Sequence, residues 1–111
     1  MLIKDQHALE SIIDAIDRIF EYTKEIQSAD DLYKNHIAFD ATMMNFVVIG
    51  EMVAKLSDDL KNNYKEIDWH KIKGFRNLVA HDYFGIDAEE VWQIIKFKLP
   101  DLKKGIEKIL N

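Results

Sequence analysis

Gly74-Phe75-Arg76-Asn77-Leu78-Val79-Ala80-His81-Asp82-Tyr83 is the stretch from which the rest of the chain can be read. Arg76, Asn77, His81 and Tyr83 can each bind a phosphate or act on one chemically. The apolar Leu78, Val79 and Ala80 lie among them. That mix predicts a helix with one side in a core and the other presenting polar groups. At about 100° per residue, Asn77 and His81 lie roughly 40° apart and share a face, and Arg76 and Tyr83 lie about 20° apart. Arg76 and His81 are about 140° apart, so one straight helix does not aim both at a single phosphate. Either the helix distorts near His81, or a second chain completes the site.

Outward from this stretch, helical spacing dominates. Leu9, Ile12, Ile13, Ile16, Ile19, Phe20 and Ile26 predict a first helix from about Lys4 to Gln27, with Glu10, Asp14, Asp17, Glu21 and Lys24 on its solvated side. Ser28 to Asp31 is a break and a fresh N-cap signal, and Leu32 to Lys34 a short helical turn. A second long helix is expected from about His36 to Leu56. Its apolar line is Ile37, Ala41, Met44, Val48 and Met52, widened by Phe39, Met43, Phe46, Val47 and Val53. A helix so broadly apolar is buried on more than one side. Gly50 inside it costs about 1 kcal/mol relative to alanine and implies close helix packing. Glu51, next to it, is a candidate partner for Arg76.

Ser57 to Tyr64 reads as a polar connection. Asp68 is placed to cap a third main helix that begins near Trp69 and contains the Arg76 stretch. Asp82 to Ile86 reads as a turn, with Gly85 free to take positive φ. Asp87-Ala88-Glu89-Glu90 opens a fourth helix on Val91, Trp92, Ile94 and Ile95. Pro100 interrupts it, and Asp101 to Leu110 form a last helix. No strand pattern, repeat or low-complexity segment is present. The expectation is a single domain, residues 1–111, folded as an all-α up-and-down antiparallel bundle of about five helices.

Composition narrows the function classes. The chain has no cysteine, which removes disulfides and thiolate metal sites. His36 and Asp40 share a helix face, but no third ligand supports a metal there. The N-terminus lacks a long apolar core of a secretory signal, and no apolar run nears the roughly 20 residues of a membrane span. A cytoplasmic location without membrane partners is expected. The net charge of −5 gives nonspecific nucleic-acid binding no support. It is uneven: residues 1–60 hold 5 basic and 12 acidic side chains, a net of −7. Residues 61–111 hold 10 and 8, a net of +2, and Arg76 lies there with Lys71 and Lys73.

The string Arg76-Asn77-x-x-x-His81-x-Tyr83 resembles the signature of the HEPN superfamily, in its branch of HepT-like toxins. Ile49-Gly50-Glu51, Trp69-His70-Lys71-Ile72, Gly74-Phe75-Arg76-Asn77, Tyr83 to Asp87 and Val91-Trp92 extend the likeness over most of the chain. The resemblance implies an all-α, homodimeric, metal-independent endoribonuclease, with motifs of both subunits meeting in one cleft and no cofactor. It also implies a minimal nucleotidyltransferase antitoxin that transfers AMP onto Tyr83.

The residue types suit that chemistry. Cleaving RNA without a metal requires a proton taken from the 2′-hydroxyl, charge stabilisation at phosphorus and a proton for the leaving 5′-oxygen. Histidine, with an unperturbed pKa near 6.5, suits the proton transfers. The permanently charged fork of arginine suits the phosphate. The candidate catalytic residues are therefore Arg76, His81 and Asn77, with Tyr83 as the modification site and Glu51 and Asp82 in support. Each has a plainer reading. Arg76 can pair with a buried Glu51, His81 can sit at a helix C-terminus on the macrodipole, Asn77 can satisfy a neighbouring turn, and Tyr83 can edge the core. His7, His36 and His70 read as surface or packing residues, Trp69 and Trp92 as core. Two other functions stay open: a non-catalytic module that binds a nucleotide or the antitoxin, and a helper subunit presenting substrate to a nucleotidyltransferase.

Overall fold

The computed structural model describes the backbone of residues 1–82 and 87–111, and side chains outside 79–86. Among the described residues the regular structure is entirely helical, an all-α bundle. Two long helices form its spine, α1 (Ile3–Thr23) and α3 (His36–Lys55). They pack against each other more extensively than any other pair. Leu9, Ile12, Ile16 and Ile19 of α1 are fully buried, at the three- and four-residue spacing that builds one helical stripe. α1 ends at Thr23, short of Gln27. There the Thr23 hydroxyl donates to the Ile19 carbonyl at 2.8 Å, and the Ile26 amide closes a turn onto the Thr23 carbonyl.

The two helices run antiparallel, because Asp5 at the start of α1 meets Ser57 just beyond α3. The Ser57 amide donates to one Asp5 carboxylate oxygen at 2.8 Å and its hydroxyl to the other at 2.6 Å. Burial works against the charged form of Asp5. The two Ser57 hydrogen bonds, helped by Lys4 and the N-terminal amine, outweigh it and hold the carboxyl below its ordinary value. The Ser57 hydroxyl also accepts from the Leu60 amide and so caps α4 (Asp58–Asn63). The expected polar connection is therefore a short helix, with Leu60 buried beneath it.

The stripe of α3 that faces inward differs from the line drawn through Ile37 and Met44. Phe39, Met43, Phe46, Ile49 and Val53 are buried, whereas Ile37 is 86% and Met44 63% exposed. α3 is apolar around most of its circumference, so periodicity alone does not choose a face. By length and composition α3 could cross a membrane. In this fold it is the helix on which α1, α5 and α6 pack.

Shorter helices complete the bundle, with serine, asparagine and aspartate at their N-caps. Ser28 caps α2 (Ala29–Lys34) by accepting from the Asp31 amide, and Asn35 caps α3 by accepting from Ala38. Asp68 caps α5 (Trp69–Lys73) through the Lys71 amide. Asp87 caps α7 (Ala88–Gln93) through the Glu89 and Glu90 amides. The third main helix is thus two pieces, α5 and α6 (Phe75–Asp82), with a corner at Gly74. α6 includes Asp82, which the sequence placed in a turn; Tyr83, Gly85 and the rest of that turn lie outside the described residues. Pro100 does not break the fourth helix. Ile94–Lys98 form a π-helical turn that leads directly into α8 (Leu99–Leu110), and Pro100 sits in the first turn of α8, where a missing amide costs little. Trp69 and Trp92 are both buried; the Trp69 indole donates to the Tyr64 carbonyl at 3.0 Å.

Gly50 is where the α5–α6 corner meets α3. A Cβ built on it would stand 2.9 Å from the Lys73 carbonyl oxygen and 3.0 Å from the Arg76 Cβ. Beside it, the Phe46 and Phe75 rings stack at 5.3 Å between centroids. Gly50→Ala would gain about 1 kcal/mol of helix propensity. Forcing a backbone contact apart typically costs about 1–3 kcal/mol. The expected net result is a lower melting temperature in a thermal scan; a variant at least as stable as the parent would mean that the corner has room.

Candidate active site

The corner determines where Arg76 stands. Phe75 is buried against Phe46, which anchors the first turn of α6 on α3. Arg76 is the next residue, its Cβ against the α3 backbone at Gly50, so its side chain must run outward along α3. One residue after Gly50 it meets Glu51. The Arg76 Nη1 donates to Glu51 Oε1 at 3.0 Å. The Arg76 side chain is 34% exposed and that of Glu51 48%.

Those exposures correct one expectation. Arg76 pairs with Glu51, as anticipated, but Glu51 is at the surface and not buried. A half-solvated pair contributes little, about 0–1 kcal/mol. Its loss would leave no carboxylate stranded in a core. The pair therefore orients the guanidinium more than it stabilises the fold. A guanidinium has five N–H donors, so one bond to Glu51 leaves the fork able to grip a phosphate.

Asn77 follows on α6, exposed, with its amide donating to the Gly74 carbonyl at 2.9 Å. The α6 backbone is helical without interruption from Phe75 to Asp82. Position 81 thus lies one turn beyond Asn77 on a regular helix. An α-helix that continues through Asp82 keeps positions 76 and 81 about 140° apart around its axis. The side chains of His81 and Asp82, and Tyr83 altogether, lie outside the described residues. Of the candidate set, the structure brings together Arg76 and Glu51, with Asn77 adjacent. Among the described residues no three His, Asp or Glu side chains cluster as metal ligands would.

Basic character near Arg76 comes from half-buried Lys73 and exposed Lys71 in α5. A basic group not apparent from the sequence lies at the C-terminal end of α3. Lys55, one turn beyond Glu51, lines a groove of about 610 Å³ together with Lys4 and His7 of α1. The signal for it was weak in sequence, because residues 4 and 55 are adjacent only once α1 and α3 are known to be antiparallel.

Comparison with known proteins gives the family. The family described as Ribonuclease HepT-like matches residues 12–109. The chain is 35% identical over 101 residues to the Thermococcus cleftensis protein named "Probable ribonuclease HepT", covering 91% of each. It is 32% identical over 103 residues to the Methanocaldococcus jannaschii protein named "Putative RNase MJ1216", covering 93% of this chain and 84% of that one. No solved structure matches it significantly. With a family match that spans nearly all of the bundle, including both Gly50 and the Arg76 helix, the chain belongs to the HepT-like ribonucleases of the HEPN superfamily.

Proposed function

We propose that this protein is the toxin of a toxin–antitoxin pair, a metal-independent endoribonuclease that a nucleotidyltransferase antitoxin silences by AMP transfer. The observation that supports it most is the placement of Arg76. A permanently charged fork is fixed at its root by the Gly50 contact, half-exposed at its tip, at the start of the helix that carries His81.

The chemistry needs no further group. His81 removes the 2′-hydroxyl proton. The 2′-oxygen attacks phosphorus, the P–O5′ bond breaks, and the 5′-oxygen leaves with a proton returned by the His81 imidazolium, directly or through a water, giving a 2′,3′-cyclic phosphate. Arg76 neutralises charge on the non-bridging oxygens during that step, which is where fixed donors contribute most. Asn77 orients His81 or donates to a phosphate oxygen.

Because a helix that runs through both residues holds positions 76 and 81 about 140° apart, the cleft is completed by a second copy: Arg76 of one chain faces His81 of the other. The surface offered for that association is the groove between α1 and α3, where exposed Met44 lies with Val48 and Met52 beside Arg18 and Tyr22. A two-fold dimer through this face would be isologous.

Purified protein in excess EDTA should cleave RNA and leave 2′,3′-cyclic phosphate ends. His81→Ala should be folded and inactive. Arg76→Ala should lose about 1 kcal/mol of stability or less and be equally inactive. Activity that chelator abolishes and Mg²⁺ restores would refute this mechanism. A wild-type chain that binds the antitoxin but cleaves nothing would favour the non-catalytic module.

Control rests on Tyr83. Each AMP added there carries about one negative charge. It would compete for Arg76 through a charge-assisted hydrogen bond and repel incoming RNA. Incubation with the antitoxin and ATP should raise the intact mass of the wild type by one or more AMP units and leave Tyr83→Phe unchanged. A mass gain that survives Tyr83→Phe would place the modification on another residue.

A further inference from the structure

The groove beside the C-terminal end of α3 has a composition at odds with its surroundings. Residues 1–60 contain 12 acidic side chains and only 5 basic ones. Two of those five, Lys4 and Lys55, line this groove with His7, and no carboxylate does. Lys4, His7 and Lys55 are all exposed. Among the described residues none of the three takes part in an ion pair. The acidic neighbour that could neutralise Lys4 is Asp5. It is buried, and both of its oxygens are tied to Ser57. Glu51, one turn before Lys55 on α3, is engaged by Arg76.

The position of the groove is as telling as its charge. Lys55 lies four residues beyond Glu51 on α3, about 40° around the helix and one turn along it. Lys4, Ala8 and Ser11 line the groove from one face of α1, and Met52 and Lys55 from α3. Ser11 and Met52 also line the α1–α3 groove offered above for association, so the basic residues stand at the edge of that interface. Lys55 therefore stands one turn along α3 from the carboxylate that holds Arg76, and Lys4 and His7 of α1 share a groove with it. A polyanion gripped by Arg76 and laid along α3 reaches Lys55 first and then Lys4 and His7.

We propose that this groove holds the RNA backbone to one side of the scissile phosphate. Lys55 and Lys4 neutralise successive phosphates, and His7 donates to the sugar between them. This rests on the ribonuclease reading and adds to it the path of the substrate. An acidic protein segment would also be attracted to the groove. RNA is favoured because the basic groups share a groove that starts one turn along α3 from the carboxylate holding Arg76, where a repeated phosphate charge can meet them in succession.

The test uses a 2′-O-methyl RNA oligonucleotide, which lacks the attacking hydroxyl and can be bound but not cut. Its dissociation constant is measured across a salt series for the full-length wild type and for Lys4→Ala/Lys55→Ala, with circular dichroism as the check on folding. Each phosphate neutralised on a single strand contributes about 0.7 to the slope of log affinity against log salt. The double variant should therefore lower that slope by about 1.4 and weaken binding at least tenfold at about 0.1 M salt. An unchanged slope and affinity, or a wild type that does not bind the oligonucleotide, overturns the proposal. A wild type that binds with the expected slope difference but fails to cut unmodified RNA leaves the groove standing and removes the ribonuclease reading. A wild type that cuts RNA while the double variant binds unchanged removes the groove alone.

Discussion

The structure depends on the backbone contact at Gly50. There α3, the central helix, comes close enough to the Lys73 carbonyl and to Arg76 that a side chain one carbon long would be in the way. This single approach sets three things. It lets Phe75 stack on Phe46, which closes the core over α6. It fixes the root of Arg76 against a rigid helix. It places Glu51, the next residue, where it can hold the tip of that arginine at 3.0 Å. The helix-propensity penalty of a mid-helix glycine, about 1 kcal/mol, is outweighed by the packing that the absent side chain permits.

Energy and function are separated in this arrangement. The fold is held by the apolar stripes of α1 and α3, with Leu9, Ile12, Ile16, Phe46, Ile49 and Val53 fully buried, and by the Asp5–Ser57 clasp across their ends. The Arg76–Glu51 pair lies outside that core, half-solvated. It can exchange its partner for a phosphate without a large cost to stability, since an exposed pair is worth only about 0–1 kcal/mol. A buried pair would have left a stranded charge behind whenever the arginine let go. Surface placement is what a guanidinium needs if it is to bind an anion that comes and goes.

Much of this was legible in the sequence. The N-caps at Asp68 and Asp87, the close approach at Gly50 and the choice of Glu51 as partner of Arg76 follow from local rules, and the structure agrees with them. Other features were not legible, for physical reasons. α3 is apolar nearly all round, so the choice between the Ile37–Met44 face and the Phe39–Met43 face was made by α1, α5 and α6. α4 is too short for periodicity to show, and its cap, Ser57, is recruited by Asp5 from 52 positions away. The effect of Pro100 depends on a π-helical turn that shifts the hydrogen-bond register before it. The exposure of Glu51, which decides between a structural pair and an available arginine, is a tertiary property, as is the meeting of Lys4 with Lys55.

α6 is helical from Phe75 to Asp82, and on that helix rests the central proposal, that one cleft takes Arg76 from one chain and His81 from another. Mixing two inactive variants tests it most directly. Arg76→Ala and His81→Ala are purified separately, unfolded and refolded together, and assayed for RNA cleavage against each alone. In a two-fold dimer with shared clefts, half of the randomly assembled dimers are mixed and each of these regains one intact cleft, so about a quarter of wild-type activity should return. Mixed dimers confirmed by mass that remain as inactive as either parent would show that Arg76 and His81 act within one chain, and would contradict the account.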